Sequence, residues 1–193
     1  MSKDNGYMPA LILTVIVLVT TGLLALTSGL TQPARDAQAI AAQNANRQMI
    51  CPDAATFEPI DLTVYQADHP GVSEAFAVRD PAGTLLGYLY QSEFRGYGGA
   101  VPSLVAITID NKVMRVLPLD NDETPGLGKK IADAGFVGQF ADLDATQEIT
   151  VKPNETDKVL IDSIAGATIS SNAVARSVNQ ATALHQLIMT EVQ

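Results

Sequence analysis

The sequence predicts an α+β domain of antiparallel-rich sheets with packed helices, preceded by one N-terminal transmembrane helix. Three observations carry that prediction. No charged residue occurs between Asp4 and Arg35, the middle of the chain alternates short apolar runs with turn residues, and the C-terminal stretch repeats apolar residues at helical spacing. A chain of 193 residues has room for one domain of ordinary size plus an accessory segment.

The first element is the apolar stretch Pro9 to Leu30, dominated by Leu, Ile, Val, Ala and Thr. As a helix rising about 1.5 Å per residue it reaches roughly 33 Å, enough to cross a hydrocarbon core. A cleaved signal peptide is one alternative, with Thr27 or Ser28 as the cleavage point. The stretch exceeds the usual signal core, however, and its basic n-region is only Lys3 beside Asp4. A buried core helix is a weaker alternative, because the stretch is apolar on all faces. The expected organisation is an anchor at residues 1–31, a helical stalk at 32–55 and a folded domain at 56–193. Basic flanking residues are few on either side, so charge counting leaves the orientation open.

In the stalk, Ala37, Ile40, Ala41 and Ala45 fall at helical spacing, Pro33 suits a first helical turn, and Cys51-Pro52 is a stop. Leu62 to Ala67 is the first candidate strand. Ala75 to Arg79 and Thr84 to Gln91 flank the turn Asp80-Pro81-Ala82-Gly83, and Leu104 to Ile109 and Lys112 to Leu117 flank Asp110-Asn111, giving two hairpins. Residues 131 to 140 read as helical. Ile149 to Lys152 and Val159 to Ile161 are further strands, separated by the turn Pro153-Asn154-Glu155. In the last helix Val174, Val178, Ala181, Leu184, Leu187 and Ile188 form a stripe that should pack on the sheet, with Ser170 or Ser171 as N-cap. His185 and Arg176 fall off that stripe and read as solvated.

Charge and composition exclude several functions. The net charge is −9, and the chain beyond residue 35, with 10 basic and 20 acidic residues, carries −10, which argues against nucleic acid as a partner and makes the folded part stand off an anionic lipid surface. One cysteine, Cys51, allows no internal disulfide and reads as a structural or incidental thiol. With only His69 and His185 present, no metal-ligand cluster is expected.

Three stretches can carry chemistry. Phe94 to Ala100 is a glycine-rich loop with Gly96, Tyr97 and Gly98 at its centre; it is either a flexible connection or a backbone wall against a flat ligand. Asp120 to Lys130 includes Glu123, Thr124, Pro125, Gly126, Leu127 and Gly128. Such a composition is either a solvated turn or a polar edge for a ligand, with Lys129 and Lys130 balancing phosphate. Asp162 to Ser171 joins a strand to the last helix, and Gly166 and Ala167 leave little bulk beside Thr168. It is either a tight turn of small residues or an attachment point where a phosphate would meet a helix N-terminus.

The anchor, Glu123-Thr124-Pro125-Gly126-Leu127-Gly128, and Gly166-Ala167-Thr168 after Asp162 together resemble the FMN-binding domain family. Within it, the resemblance is closest to the G subunit of Rnf, the ion-translocating ferredoxin:NAD oxidoreductase complex. The sister C subunit of the sodium-pumping NADH:quinone oxidoreductase has a larger soluble region than this chain can hold. The resemblance implies FMN joined covalently, by a phosphoester bond, to Thr168, in a pattern like Asp-Gly-x-Ser/Thr-Gly-Ala-Thr. Ser163 and Ala165 depart from that pattern, and if the missing hydroxyl at 165 helps the modifying enzyme grip its target, modification would be slower. It further implies a flavin transferase that takes FMN from FAD, with Asp162 as a recognition or metal contact in that step. Ser170, Glu123 to Gly128 and Gly96 to Gly98 become the flavin's surroundings. The implied partners are the other membrane, iron–sulfur and flavin subunits of the Rnf complex. The implied location is the bacterial inner membrane, single-pass, with the domain on the periplasmic side.

The leading expectation is thus an electron-relay subunit of a translocase that turns over no substrate alone. A scaffold that keeps an unused flavin motif is the alternative. A hydrolase using Thr168 or Ser170 is weaker still, because neither histidine has a motif partner placing it as a base.

Overall fold

The computed structural model describes residues 7–192; Lys3 and Asp4, used in weighing the N-terminal flank, and Gln193 lie outside the described residues. The chain divides into two compact units, Met1–Ala45 and Asn46–Gln193.

The first unit holds most of helix α1 (Met8–Ile50). Its most apolar 18-residue window has a mean hydropathy of 2.5, and none of it is buried. That helix is long and apolar enough to cross a membrane, consistent with a single-pass membrane protein. Thr14, Thr20, Thr27 and Thr31 donate their hydroxyls to carbonyls four residues back, at 2.8–2.9 Å. Such bonds satisfy a polar side chain inside an apolar span. The expected helix start at Pro33 is corrected: Pro33 lies inside one continuous helix. Its flanks, Gln32, Ala34, Arg35 and Ala37, are strong helix formers with no competing turn residue, so the helix continues despite the loss of one backbone bond.

In the second unit, α1 ends at Ile50, just before Cys51-Pro52. A five-stranded antiparallel meander follows, in the order β1 (Thr56–Pro59), β2 (Val72–Arg79), β3 (Leu85–Arg95), β4 (Ala100–Thr108) and β5 (Val113–Pro118). The two expected hairpins are present. Asp80 Oδ1 accepts from the N–H groups of Ala82 and Thr84, both at 2.8 Å, and Asn111 takes a φ of 57° in the second turn. The expected strand at Leu62–Ala67 is corrected to a run of turns. Asp61 Oδ1 accepts from the N–H of Thr63 at 2.9 Å, and the N–H groups of Tyr65 and Gln66 both bond to Leu62 O, so local bonds win over pairing with the sheet.

Both faces of the sheet are covered. One carries Phe76, Val78, Leu89, Leu104 and Ala106 against Ile50, Cys51 and Ala54. Burial pushes the Cys51 thiol up to about 11, in keeping with a packing role. The other face carries Tyr88, Tyr90, Val105 and Ile107 beneath α3 (Thr168–Val192). Between sheet and α3 the chain makes a 3-10 turn (Gly128–Ala132), the short helix α2 (Ala134–Val137) and a second 3-10 turn (Gly138–Phe140), which bury Ile131, Phe136 and Phe140. The parallel pair β6 (Ile149–Thr150) and β7 (Val159–Leu160) then leads to α3.

The stripe of α3 packs as expected at Val174, Val178, Ala181, Leu184 and Ile188, but Leu187 is 44% exposed. His185 is the larger correction: it is fully buried. Tyr90 Oη lies 2.9 Å from His185 Nδ1, and the rings of Tyr88 and Tyr90 meet the imidazole edge-on at 5.3 and 5.9 Å. A β3 tyrosine thus gives the off-stripe histidine a polar partner inside the core. Burial pushes the His185 pKa down to about 4, so the ring is neutral at physiological pH. Arg176 stays exposed, with its guanidinium 4.4 Å above the Phe94 ring.

Candidate functional site

The N-terminus of α3 is set by the turn before it. Ala167 N–H bonds to Ile164 O at 2.9 Å, and Gly166 takes a φ of 77°, a left-handed conformation open to glycine at no steric cost. The expected N-cap, Ser170 or Ser171, is corrected: both lie inside the first turn, because α3 begins at Thr168. Ser171 Oγ instead accepts from the N–H of Ile164 at 3.0 Å and donates to Ala167 O at 3.0 Å, fastening the turn to the helix. The first backbone bond of this turn runs from Ser171 N–H to Ala167 O. The N–H groups of Thr168, Ile169 and Ser170 therefore have no partner earlier in the helix, and they stand at the positive end of its dipole. The Thr168 side chain is exposed among them.

These groups open onto a cleft of about 610 Å³, lined by Tyr97, Glu123, Thr124, Leu127 and Gly128 on one side and by Gly166 to Ser170 on the other. Its rim is apolar: Tyr97 is 72%, Ile169 56% and Leu127 45% exposed. Apolar walls, a few convergent polar groups and this volume are the usual marks of a small-molecule site.

Behind the cleft lies a buried carboxylate. Glu123 is 2% exposed, with Oε1 accepting from Gly98 N–H at 3.0 Å and Oε2 from Ser170 Oγ at 2.6 Å. Glycines make room for it. A Cβ on Gly96 would fall 2.2 Å from Oε1, and one on Gly128 2.4 Å from Oε2. Glu123 thereby joins the β3–β4 turn, the 123–128 loop and α3.

Of the residues singled out in the sequence, Tyr97, Glu123, Thr124, Leu127, Gly128, Gly166, Ala167, Thr168 and Ser170 meet at this cleft. Gly96 and Gly98 do not line it; they press on Glu123 and Asp122 from behind. Pro125 and Gly126 shape the turn between Thr124 and Leu127, closed by Leu127 N–H to Thr124 O at 3.2 Å. Asp162 lines a separate concavity of about 500 Å³ that shares Thr168 with the cleft, and its backbone pairs with the Gln139 amide at 2.8 and 3.2 Å. Lys129 does not face the cleft: it bonds to Asn121 O and Asp120, and that contact holds the Asp120 carboxyl below its usual range. Neither histidine lines the cleft. Ile169 is the cleft residue that sequence reasoning missed. Its signal was an apolar side chain directly after Thr168, off the buried stripe of α3.

The arrangement fits a phosphorylated, planar ligand: an exposed hydroxyl at a helix N-terminus for the phosphate, and apolar side chains for a flat ring. Comparisons with known proteins agree. Residues 96–183, which hold the cleft stretches, match the model of the FMN-binding domain family. The chain is 30% identical over 169 residues to the G subunit of the proton-translocating ferredoxin:NAD(+) oxidoreductase complex of Clostridium ljungdahlii, spanning 88% of this chain and 85% of that protein. It is 31% identical over 182 residues to the G subunit of the ion-translocating oxidoreductase complex of Methanosarcina acetivorans, spanning 93% and 95%. The crystal structure of NqrC from Shewanella oneidensis shares the fold, with a TM-score of 0.50 at 20% identity over 62% of this chain and 60% of that one. The chain belongs to the family of G subunits of ion-translocating oxidoreductase complexes and carries that family's FMN-binding domain.

Proposed function

We propose that the protein is a membrane-anchored electron-relay subunit of an Rnf-type ion-translocating ferredoxin:NAD oxidoreductase complex, carrying FMN covalently on Thr168. The single observation that carries this reading is the exposed Thr168 side chain at the N-terminus of α3, on the wall of the apolar-rimmed cleft. The phosphate would be held by Thr168 Oγ1 and the free N–H groups of the first helical turn. Tyr97, Leu127 and Ile169 would shield the ring, with Thr124, Glu123 and Gly128 closing the inner wall. When bound, the flavin supplies the one- and two-electron chemistry; the protein supplies position, shielding and local charge.

Attachment needs a flavin transferase. At Thr168 Oγ1 an O–P bond to FMN forms, the pyrophosphate bond of FAD breaks, AMP leaves, and the hydroxyl proton goes to solvent. Asp162 lines the second concavity together with Thr168 and would serve as a recognition or metal contact in that step. Residues 1–31 serve as the anchor, 32–55 as the stalk and 56–193 as the flavin domain, held on the periplasmic side of the inner membrane beside the complex's iron–sulfur and flavin subunits.

Co-expression with a flavin transferase, followed by a denaturing gel, tests the reading. A fluorescent band is expected for the wild type and for Ser170→Ala, and none for Thr168→Ala. A dark wild-type band would leave the chain a scaffold.

A further inference from the structure

The buried Glu123 side chain lies in the wall of the Thr168 cleft. Its two contacts are dipoles: Gly98 N–H on Oε1 at 3.0 Å and Ser170 Oγ on Oε2 at 2.6 Å. Among the described residues no cation forms an ion pair with it. Lys129, the lysine nearest in sequence, is committed to Asp120 at 3.2 Å and to Asn121 O. At 2% exposure, water would screen a charge at this position poorly, and its field would reach into the cleft.

From this geometry we propose that Glu123 stands in the cleft wall as an anion and sets its redox poise: the negative charge disfavours adding electrons to a flavin held there and keeps the reduction potential low. This rests on the reading that FMN on Thr168 occupies the cleft. Glu123 is here a positioning and charge-bearing residue; it exchanges no proton or electron in the proposal.

The test is a potentiometric titration of the full, detergent-solubilised chain after co-expression with a flavin transferase, comparing wild type, Glu123→Gln and Ser170→Ala. In Glu123→Gln the amide oxygen still accepts from Gly98 and the amide nitrogen donates to Ser170 Oγ, so the frame stays and the charge goes. The two-electron reduction equilibrium should shift toward the reduced form at least tenfold, about 30 mV more positive. Ser170→Ala keeps the charge and removes a donor that spreads it, so its midpoint should move negative. If Glu123→Gln fails to fold, the sign of the Ser170→Ala shift decides alone. An unmoved or more negative midpoint in Glu123→Gln, or a positive one in Ser170→Ala, overturns the proposal; both moving the same way would indicate loosened packing only. In-gel fluorescence of the same samples separates the two claims. A dark wild type defeats the Thr168 reading, whereas fluorescent variants with unmoved midpoints defeat only the role of Glu123.

Discussion

Ser170 and Glu123 stand 47 residues apart in the chain, yet their side chains share a 2.6 Å hydrogen bond. The bond joins the first turn of α3 to the loop that closes the cleft. Ser170→Ala leaves Oε2 of a buried carboxylate without its donor, and a loss of about 1–3 kcal/mol of stability is expected. Urea unfolding of the apoprotein at pH 7 measures it, and an unchanged midpoint would mean that the bond adds nothing to stability.

Gly98 supports the same carboxylate from the other side. A Cβ there would lie 2.1 Å from Asp122 O, a backbone atom that cannot swing away, whereas a Cβ on Gly99 would meet nothing closer than 3.8 Å. Gly98→Ala should therefore displace the 96–99 turn, lower the melting temperature and reduce flavin loading, while Gly99→Ala should behave as wild type in both. Equal behaviour of the two variants in calorimetry and gel fluorescence would contradict this account of the turn.

His185 gives the domain a pH-dependent stability. Burial lowers its folded-state pKa to about 4, from an unperturbed value of 6.5, so the unfolded chain binds the proton more readily. The stabilisation from this group is complete above about pH 6.5 and is lost as pH falls toward 4. Asp61, Asp120 and Asp144 also have lowered pKa values, through bonds from Thr63, Lys129 and Thr146, and add their own acid loss. The comparison of wild type with His185→Gln isolates the histidine. Denaturant midpoints at pH 7 and pH 5 should differ less in the variant, and an equal difference would show that the ring does not titrate in this window.

Local chemistry made much of this fold readable. The Asp80–Gly83 and Asp110–Asn111 turns announce their hairpins, because a short acceptor side chain or a residue tolerant of positive φ is needed there. The stripe from Val174 to Ile188 announces the face of α3. What stayed hidden depends on partners distant in sequence. His185 is buried because Tyr90, 95 residues earlier, meets it across the core. Leu62–Ala67 has strand-like composition, but Asp61 and Thr63 set up a competing turn. At the site, the motif residues that converge were legible as types. Their division of labour was not: Gly96 and Gly98 serve Glu123 and not the cleft surface, and Asp162 opens onto the far side of Thr168.

The proposed function depends above all on Thr168 Oγ1 carrying FMN. Tryptic cleavage after Lys158 and Arg176 releases one peptide, Val159 to Arg176, that holds Thr168 together with Ser163, Ser170 and Ser171. After co-expression with a flavin transferase, fragmentation mass spectrometry of this peptide should show a gain of FMN less one water, with the added mass on Thr168. An unmodified peptide from transferase-treated protein, or the adduct on Ser163, Ser170 or Ser171, would contradict it.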